Sequence, residues 1–237
     1  MNPKFLNLTD YGNIIEVPLQ GVIDHRRPET YEQILSSQLS KDERFSRLLI
    51  PPDVIKHRIQ ELAAEIIKDN IENPKFNLLM VLTGAFMFAA DLGREIFRQN
   101  GPDIQYFTMK LSTYRKEIKK VGETIREVDI QLDCGDIEGE HVIIVEDIID
   151  QGFTLSELQK FLIEEKKAAS VKICTLLYKR LEQPTQEVKE IRTNLNIDYI
   201  GFTIPDVWVA GYGIDSGDDF RQLPFVIAVN EDYYRRK

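Results

Sequence analysis

Apolar residues recur at helical spacing in residues 53–69, where Ile55, Ile59, Leu62 and Ile66 mark one face. Pro51-Pro52-Asp53 stands at the front of this stretch. Proline's fixed φ suits the first turn of a helix, and an acid there complements the helix dipole. After residue 75 two patterns alternate. Phe76–Leu82 is a short apolar run of the buried-strand type. Residues 85–98 form a helix with Phe88, Leu92 and Ile96 on one face, and Ile104–Leu111 is a second strand. Val142–Val145 is almost purely β-branched, as a central parallel strand should be. Thr154–Lys166 reads as a helix (Leu155, Leu158 and Leu162 on one face) and Val171–Tyr178 as a strand. Tyr199–Phe202 and Val226–Val229 are shorter strand candidates.

Strands alternating with helices predict the α/β class: right-handed crossovers and a mostly parallel twisted sheet flanked by helices. Such sheets bind ligands outside the carboxyl ends of their strands. Chemistry is therefore expected in the turns after Leu82, Leu111, Val145 and Tyr178. Three stretches depart from the alternation. Residues 1–50 are polar and irregular, with short apolar pieces at 14–19 and 34–39. Ser112–Asp133, which contains Arg115, Lys116, Lys119 and Lys120, reads as a mobile loop or a twisted hairpin. Leu181–Asn196 is a second polar insertion.

Composition narrows the function classes. The chain has 237 residues, 43 % hydrophobic and 29 % charged, which excludes wholesale disorder. Thirty Lys and Arg against 39 Asp and Glu leave a net charge of −9. That balance opposes binding to a nucleic acid, where cation count drives affinity, but not the binding of one small anion in a local site. Cys134 and Cys174 cannot make a disulfide framework, and His25, His57 and His141 lack zinc-ligand spacing. The first ten residues carry no signal-peptide pattern. The longest uncharged apolar stretch, 77–90, is shorter than the roughly 20 residues that span a bilayer. The expectation is a soluble cytoplasmic protein with no membrane partner.

The segment Val142–Thr154 concentrates the candidate chemistry: four aliphatics, the acids Glu146 and Asp147, two more aliphatics, then Asp150-Gln151-Gly152-Phe153-Thr154 opening a helix. Gly152 permits an unusual backbone conformation and close ligand approach. Thr154 is expected to cap the helix with its hydroxyl. The N–H groups of residues 151–154, with the helix dipole behind them, form an anion cradle. The two acids would repel that anion; they suit sugar hydroxyls or a divalent cation. Asp-x-Gly-x-Thr alone is common in plain turns, and adjacent acids at a strand end are most often merely solvated. Strand, acid pair, turn and helix in register carry far more information than any one of them.

This segment resembles the phosphoribosyl-pyrophosphate (PRPP) motif of type I phosphoribosyltransferases. Tyr199–Pro224 is similar to the purine-binding segment of the hypoxanthine–guanine branch of that family. With Leu82-Thr83-Gly84 and Thr113-Tyr114 the similarity covers about residues 45–230; residues 1–44 and 181–196 lie outside it. The resemblance implies transfer of the 5-phosphoribosyl group from PRPP to hypoxanthine or guanine in purine salvage, giving IMP or GMP and pyrophosphate. Alternatives are a regulator on this fold that senses PRPP and binds nucleic acid, or a xanthine-preferring salvage enzyme. It also implies a core over 45–237 and an N-terminal extension, 1–44, that contributes to a small hood. The lid would be 112–133, and 199–230 would be the purine-binding part of the hood.

The roles carried over are specific. Asp150 is the catalytic general base or acid near N7 of the purine. Asp150, Gln151, Gly152, Phe153 and Thr154 bind the 5-phosphate, with Glu146 and Asp147 facing the ribose hydroxyls. Thr83, Gly84 and Arg221 bind pyrophosphate, with a cis Leu82–Thr83 peptide bond. Thr113 and Tyr114 belong to the lid. Lys179 donates to the purine 6-oxo group, Trp208 stacks on the base, and Val207, Val209 and Asp215 complete the purine site. Asp215, Glu146 and Asp147 are the implied magnesium ligands, and Mg2+ the implied cofactor. The implied assembly is a homodimer or homotetramer. Gln151, Phe153, Thr83 and Thr113 depart from the family's usual small hydroxyl residue, lysine, lysine and serine. Main-chain N–H groups make most of the cradle, so phosphate binding should survive these changes.

Overall fold

The computed structural model describes the chain except residues 1, 8, 9, 11, 71, 74, 118–123, 134 and 237, and except the side chains of 38 and 111–134. Its centre is a seven-stranded sheet of β2 (Ile15–Glu16), β5 (Lys75–Leu82), β6 (Asp103–Glu117), β7 (Thr124–Asp133), β8 (His141–Ile149), β9 (Ser170–Arg180) and β10 (Tyr199–Pro205). The spatial order is β2-β10-β9-β8-β5-β6-β7, and every pairing is parallel except β6 with β7. The expected α/β class, a mostly parallel sheet flanked by helices, is what the chain adopts.

Burial explains the layers. α2 (Pro52–Asp69) and α3 (Phe86–Arg98) cover one face, where Ile55, Ile59, Leu62, Ile66, Phe88, Leu92 and Ile96 join one core with Leu78, Ile143 and Val145. α4 (Phe153–Glu164) covers the other, packing Leu155, Leu158 and Leu162 on Leu79, Ile144 and Ile173. Each such aliphatic contributes about 1.5–3 kcal/mol by leaving water. With both faces covered, the six interior residues of β5 are all buried, which accounts for its unbroken apolar run.

The structure resolves the ambiguous stretches. Residues 112–117 and 124–133 are paired strands: β6 runs on to Glu117 and pairs antiparallel with β7, in register from Thr108↔Asp133 to Glu117↔Thr124. The strand period is present at Val128, Ile130 and Leu132, every second residue, but the surrounding charges obscure it. The polar insertion contains α5 (Gln186–Asn194), capped by the Thr185 hydroxyl, which accepts from the Val188 N–H.

A second, smaller sheet joins distant parts of the chain. β4 (Phe45–Ile50) pairs antiparallel with β12 (Val226–Val229), which pairs antiparallel with β11 (Val209–Ala210). Tyr31, Ile34 and Leu39 pack against its core beside Phe220, Phe225 and Tyr234 of the C-terminal part. The N-terminal stretch also holds the parallel pair β1 (Lys4–Leu6) and β3 (Val22–Asp24), the helix α1 (Pro28–Leu35), and β2 at the edge of the main sheet. The last helix, α6, spans Glu231–Arg235. Among the described residues, no helix is long and apolar enough to cross a membrane.

Candidate active site

The turn between β8 and α4 forms as the chain chemistry dictates, with two corrections. β8 does not end at Val145; it continues through Glu146 and Asp147 to Ile149, so the acids lie within the strand. Its alternation slips across them: Val145 and Ile148 both face the α2–α3 core, while Ile144 and Ile149 face α4. Thr154 is not the cap. The N-cap is Gly152, in the left-handed region at φ 85°, with no side-chain cap, and Thr154 is the second helical residue. A glycine cap leaves the first-turn N–H groups facing outward without a competing hydroxyl, which suits an incoming anion better than a threonine cap would.

Beside this turn stands the ion pair of Asp150 and Lys179. The Lys179 ammonium, near the end of β9, lies 3.3 Å from Asp150 Oδ2 and 3.9 Å from Asp206 Oδ1. The lysine side chain is only 13 % exposed, whereas that of Asp150 is 50 % exposed. The lysine is therefore held from below while the carboxylate opens to the cleft. Arg192 of α5 donates through one terminal nitrogen to the Asp150 carbonyl and through the other, at 2.7 Å, to the Lys179 carbonyl. Its Nε donates to the Tyr178 hydroxyl at 3.0 Å, and the guanidinium sits 4.0 Å from the centre of that ring.

The acids of β8 face the turn after β5. The Leu82–Thr83 peptide bond is cis, as expected. Gly84 approaches so closely that a Cβ there would meet Asp147 Oδ2 at 1.7 Å. The Gly84 carbonyl in turn lies against Gly213. Arg221 donates to the Gly213 carbonyl at 2.8 Å and pairs with Asp215 at 2.6 Å, while the other Asp215 oxygen accepts from the Asp218 N–H at 2.9 Å. Thr83, Gly84, Asp147, Asp215 and Arg221 thus converge from three separate stretches of chain. Burial pushes the Glu146 carboxyl well up, and the neighbouring Asp147 charge adds to this. Burial also raises Asp147, opposed by a hydrogen bond from Glu146, by the N–H groups of Ile148 and Asp147 and by the Arg221 charge.

The aromatic candidate lies on the rim. Trp208 is 39 % exposed, and its ring is 5.2 Å from that of Tyr234, tilted by 41°. The Trp208 carbonyl accepts from the Val229 N–H, the Val207 N–H donates to the Pro205 carbonyl, and Val209 lies in β11 opposite Ala228. The side chains of Thr113 and Tyr114 lie outside the described residues. Cys174 is a buried free thiol; Cys134 also lies outside.

No group of three or more metal-ligating side chains occurs among the described residues. The donors present are hard carboxylate oxygens, and Asp215 is already shared with Arg221. Such a set fits a magnesium ion held by one or two carboxylates together with substrate oxygens, rather than a closed protein cage.

Three functional candidates escape local reading. Asp206 follows β10 and reaches Lys179 only through strand pairing. Arg192 belongs to an insertion that looked merely polar. Tyr234 backs Trp208 from the last helix. The spacing of Val188, Ile191 and Leu195, three and then four residues apart, is the signal for α5 that the sequence offers.

The chain is similar to known proteins over most of its length. The model of the phosphoribosyl transferase domain matches residues 52–216. The hypoxanthine phosphoribosyltransferase of Escherichia coli K12 is 38 % identical over 182 residues, covering 76 % of this chain and 92 % of that protein. The hypoxanthine-guanine phosphoribosyltransferase of Aquifex aeolicus is 33 % identical over 187 residues, covering 78 % and 95 %. Among solved structures, a Trypanosoma cruzi hypoxanthine phosphoribosyl transferase superposes with a TM-score of 0.66 at 30 % identity, over 82 % of this chain and 96 % of that one. A Bacillus anthracis hypoxanthine-guanine phosphoribosyltransferase gives 0.62 at 33 % identity, over 79 % and 98 %.

Proposed function

The chain belongs to the phosphoribosyl transferase domain family, and from that premise we propose that it transfers the 5-phosphoribosyl group of PRPP to hypoxanthine or guanine. The products are IMP or GMP and pyrophosphate, and the role is purine salvage. The observation that carries this reading is the Lys179–Asp150 pair at 3.3 Å, placed between the Gly152 turn and the Trp208 segment. A 6-oxopurine meets a cation at its carbonyl oxygen and a carboxylate at its imidazole edge there. A 6-amino group would offer the ammonium no acceptor.

In this mechanism the N–H groups of 151–154 grip the 5-phosphate and fix the ribose. Gly84, Thr83 and Arg221 hold the pyrophosphate, with the guanidinium suited to paired phosphate oxygens. Glu146 and Asp147 face the ribose hydroxyls. Trp208 stacks on the purine, Lys179 donates to its 6-oxo group, and the main chain of Val207–Val209 borders the base edge. Asp150 accepts the ring proton as the base nitrogen bonds to C1′ and pyrophosphate departs with its electron pair. Asp215, Glu146 and Asp147 would hold Mg2+, which neutralises pyrophosphate charge when bound. Closure of the lid, 112–133, with Thr113 and Tyr114, keeps water from the oxocarbenium-like centre.

The protein acts as a homodimer or homotetramer in the cytoplasm, with the small hood closing the base side. The test is a steady-state assay with PRPP, Mg2+ and each of hypoxanthine, guanine and xanthine. Formation of IMP and GMP is expected; absence of turnover with all three bases overturns the proposal.

A further inference from the structure

We infer that Arg192 is a positioning residue that sets the spacing of Asp150 and Lys179; the inference rests on the function proposed above. The two residues follow the last paired positions of neighbouring strands, Ile149 of β8 and Tyr178 of β9, so register brings their main chains side by side, but Asp150 lies past the end of β8, beyond the reach of that strand pairing. Arg192 clamps the two main chains just beyond that last pair. Its two terminal nitrogens donate to the main-chain carbonyls of these two residues, at positions 42 and 13 residues away along the chain. A planar fork makes two such bonds at a fixed separation, which a single ammonium cannot do.

The arginine is itself held. Its Nε bonds the Tyr178 hydroxyl at 3.0 Å and its guanidinium lies 4.0 Å from the Tyr178 ring centre, so its orientation is set by the residue preceding Lys179. The same helix supports the turn from beneath. A Cβ built on Gly152 would lie 3.4 Å from Leu195, 3.6 Å from Ile191 and 3.7 Å from Arg192 Cγ, all in ordinary contact. α5 therefore bears on the phosphate turn and on the base-contacting lysine at once. It couples the sugar-phosphate and purine halves of the site through a segment that holds none of the site residues expected from the sequence.

The experiment compares wild type with Arg192→Ala and Arg192→Lys in the PRPP–hypoxanthine assay, together with thermal unfolding of each. Arg192→Ala is expected to lose about tenfold or more in kcat, the scale of a sub-ångström to ångström misplacement of reacting groups. The loss in kcat should exceed the rise in KM for PRPP, since the main-chain cradle remains. Dilute guanidinium chloride, far below denaturing concentrations, should restore part of the kcat of Arg192→Ala and leave wild type unchanged. A wild-type kcat in Arg192→Ala, or a loss that guanidinium does not recover, overturns the inference. Should Arg192→Ala fail to fold, Arg192→Lys decides: a severalfold lower kcat at wild-type melting temperature supports the tie, and wild-type kcat refutes it. An inactive wild type would instead strike at the underlying function, and the inference would fall with it.

Discussion

Gly84 and Asp147 stand closer than any side chain at position 84 would permit: a Cβ there would fall 1.7 Å from Asp147 Oδ2 and 2.6 Å from its Cγ. The turn after β5 thus rests directly on a carboxylate of β8. Asp147 cannot simply swing away, because its Oδ1 accepts the Ile148 N–H at 2.7 Å.

Gly84→Ala should therefore displace the turn, the carboxylate or both. Overpacking of this kind costs about 1–3 kcal/mol. We expect KM for PRPP to rise by about tenfold and the melting temperature to fall by a few degrees. Steady-state kinetics at varied PRPP checks this, and a wild-type KM would show that the contact is slack.

Asp150→Asn keeps the shape of the turn and removes the proton acceptor. A positioned general base contributes about 10²–10⁴-fold. A fall in kcat of that order is expected, with little change in KM for PRPP because main-chain N–H groups hold the phosphate. If kcat does not change, Asp150 loses its assigned role.

Lys179→Gln removes a cation from the base subsite and leaves Asp150 and Asp206 facing each other. A hydrogen bond to a charged donor is worth about 1.5–3 kcal/mol, or roughly 10–100-fold in affinity. KM for hypoxanthine should rise by that factor while KM for PRPP stays near wild type. An equal rise in both would indicate general disruption instead of lost base recognition.

The acids of β8 tie activity to instability. Burial raises both carboxyls above their unfolded values. The folded protein then binds protons more readily than the unfolded chain, so this contribution to stability is fully present below the ordinary carboxylate pKa. It is lost as pH rises through the raised values. Glu146→Gln removes the larger part of that cost. Its melting temperature at pH 7 should exceed that of wild type, by about 2–4 °C per kcal/mol recovered, and the excess should shrink toward pH 4. Thermal unfolding across that range measures it; a variant less stable than wild type at pH 7 would refute the assignment.

Trp208 is the only tryptophan, so its fluorescence reports one place. Stacking of a purine on its ring should quench emission as GMP is added, and Trp208→Phe should abolish the signal while base binding persists. Unchanged emission at saturating GMP would remove Trp208 from the base subsite.

The chain sequence by itself determined the parallel layers and the anion-binding turn. Burial on both faces demands continuous apolar strands, as in β5 and Val142–Val145, and amphipathic helices such as α2. The Gly152 turn is equally local, since strand end, glycine and helix start are covalent neighbours. The choice of cap was less legible: glycine and threonine both suit the position, and only the positive φ of Gly152 decided between them. Tertiary structure alone decided the rest. β4 finds β12 across some 180 residues, a pairing no local period encodes. Asp206 meets Lys179 through strand register, and Gly84 meets Asp147 through sheet order. Arg192 ties the two halves of the site because a short polar helix, ordinary as a sequence, packs beneath the turn. Neighbouring residues dictate backbone conformation; which distant side chains then share a cleft follows from how whole elements pack.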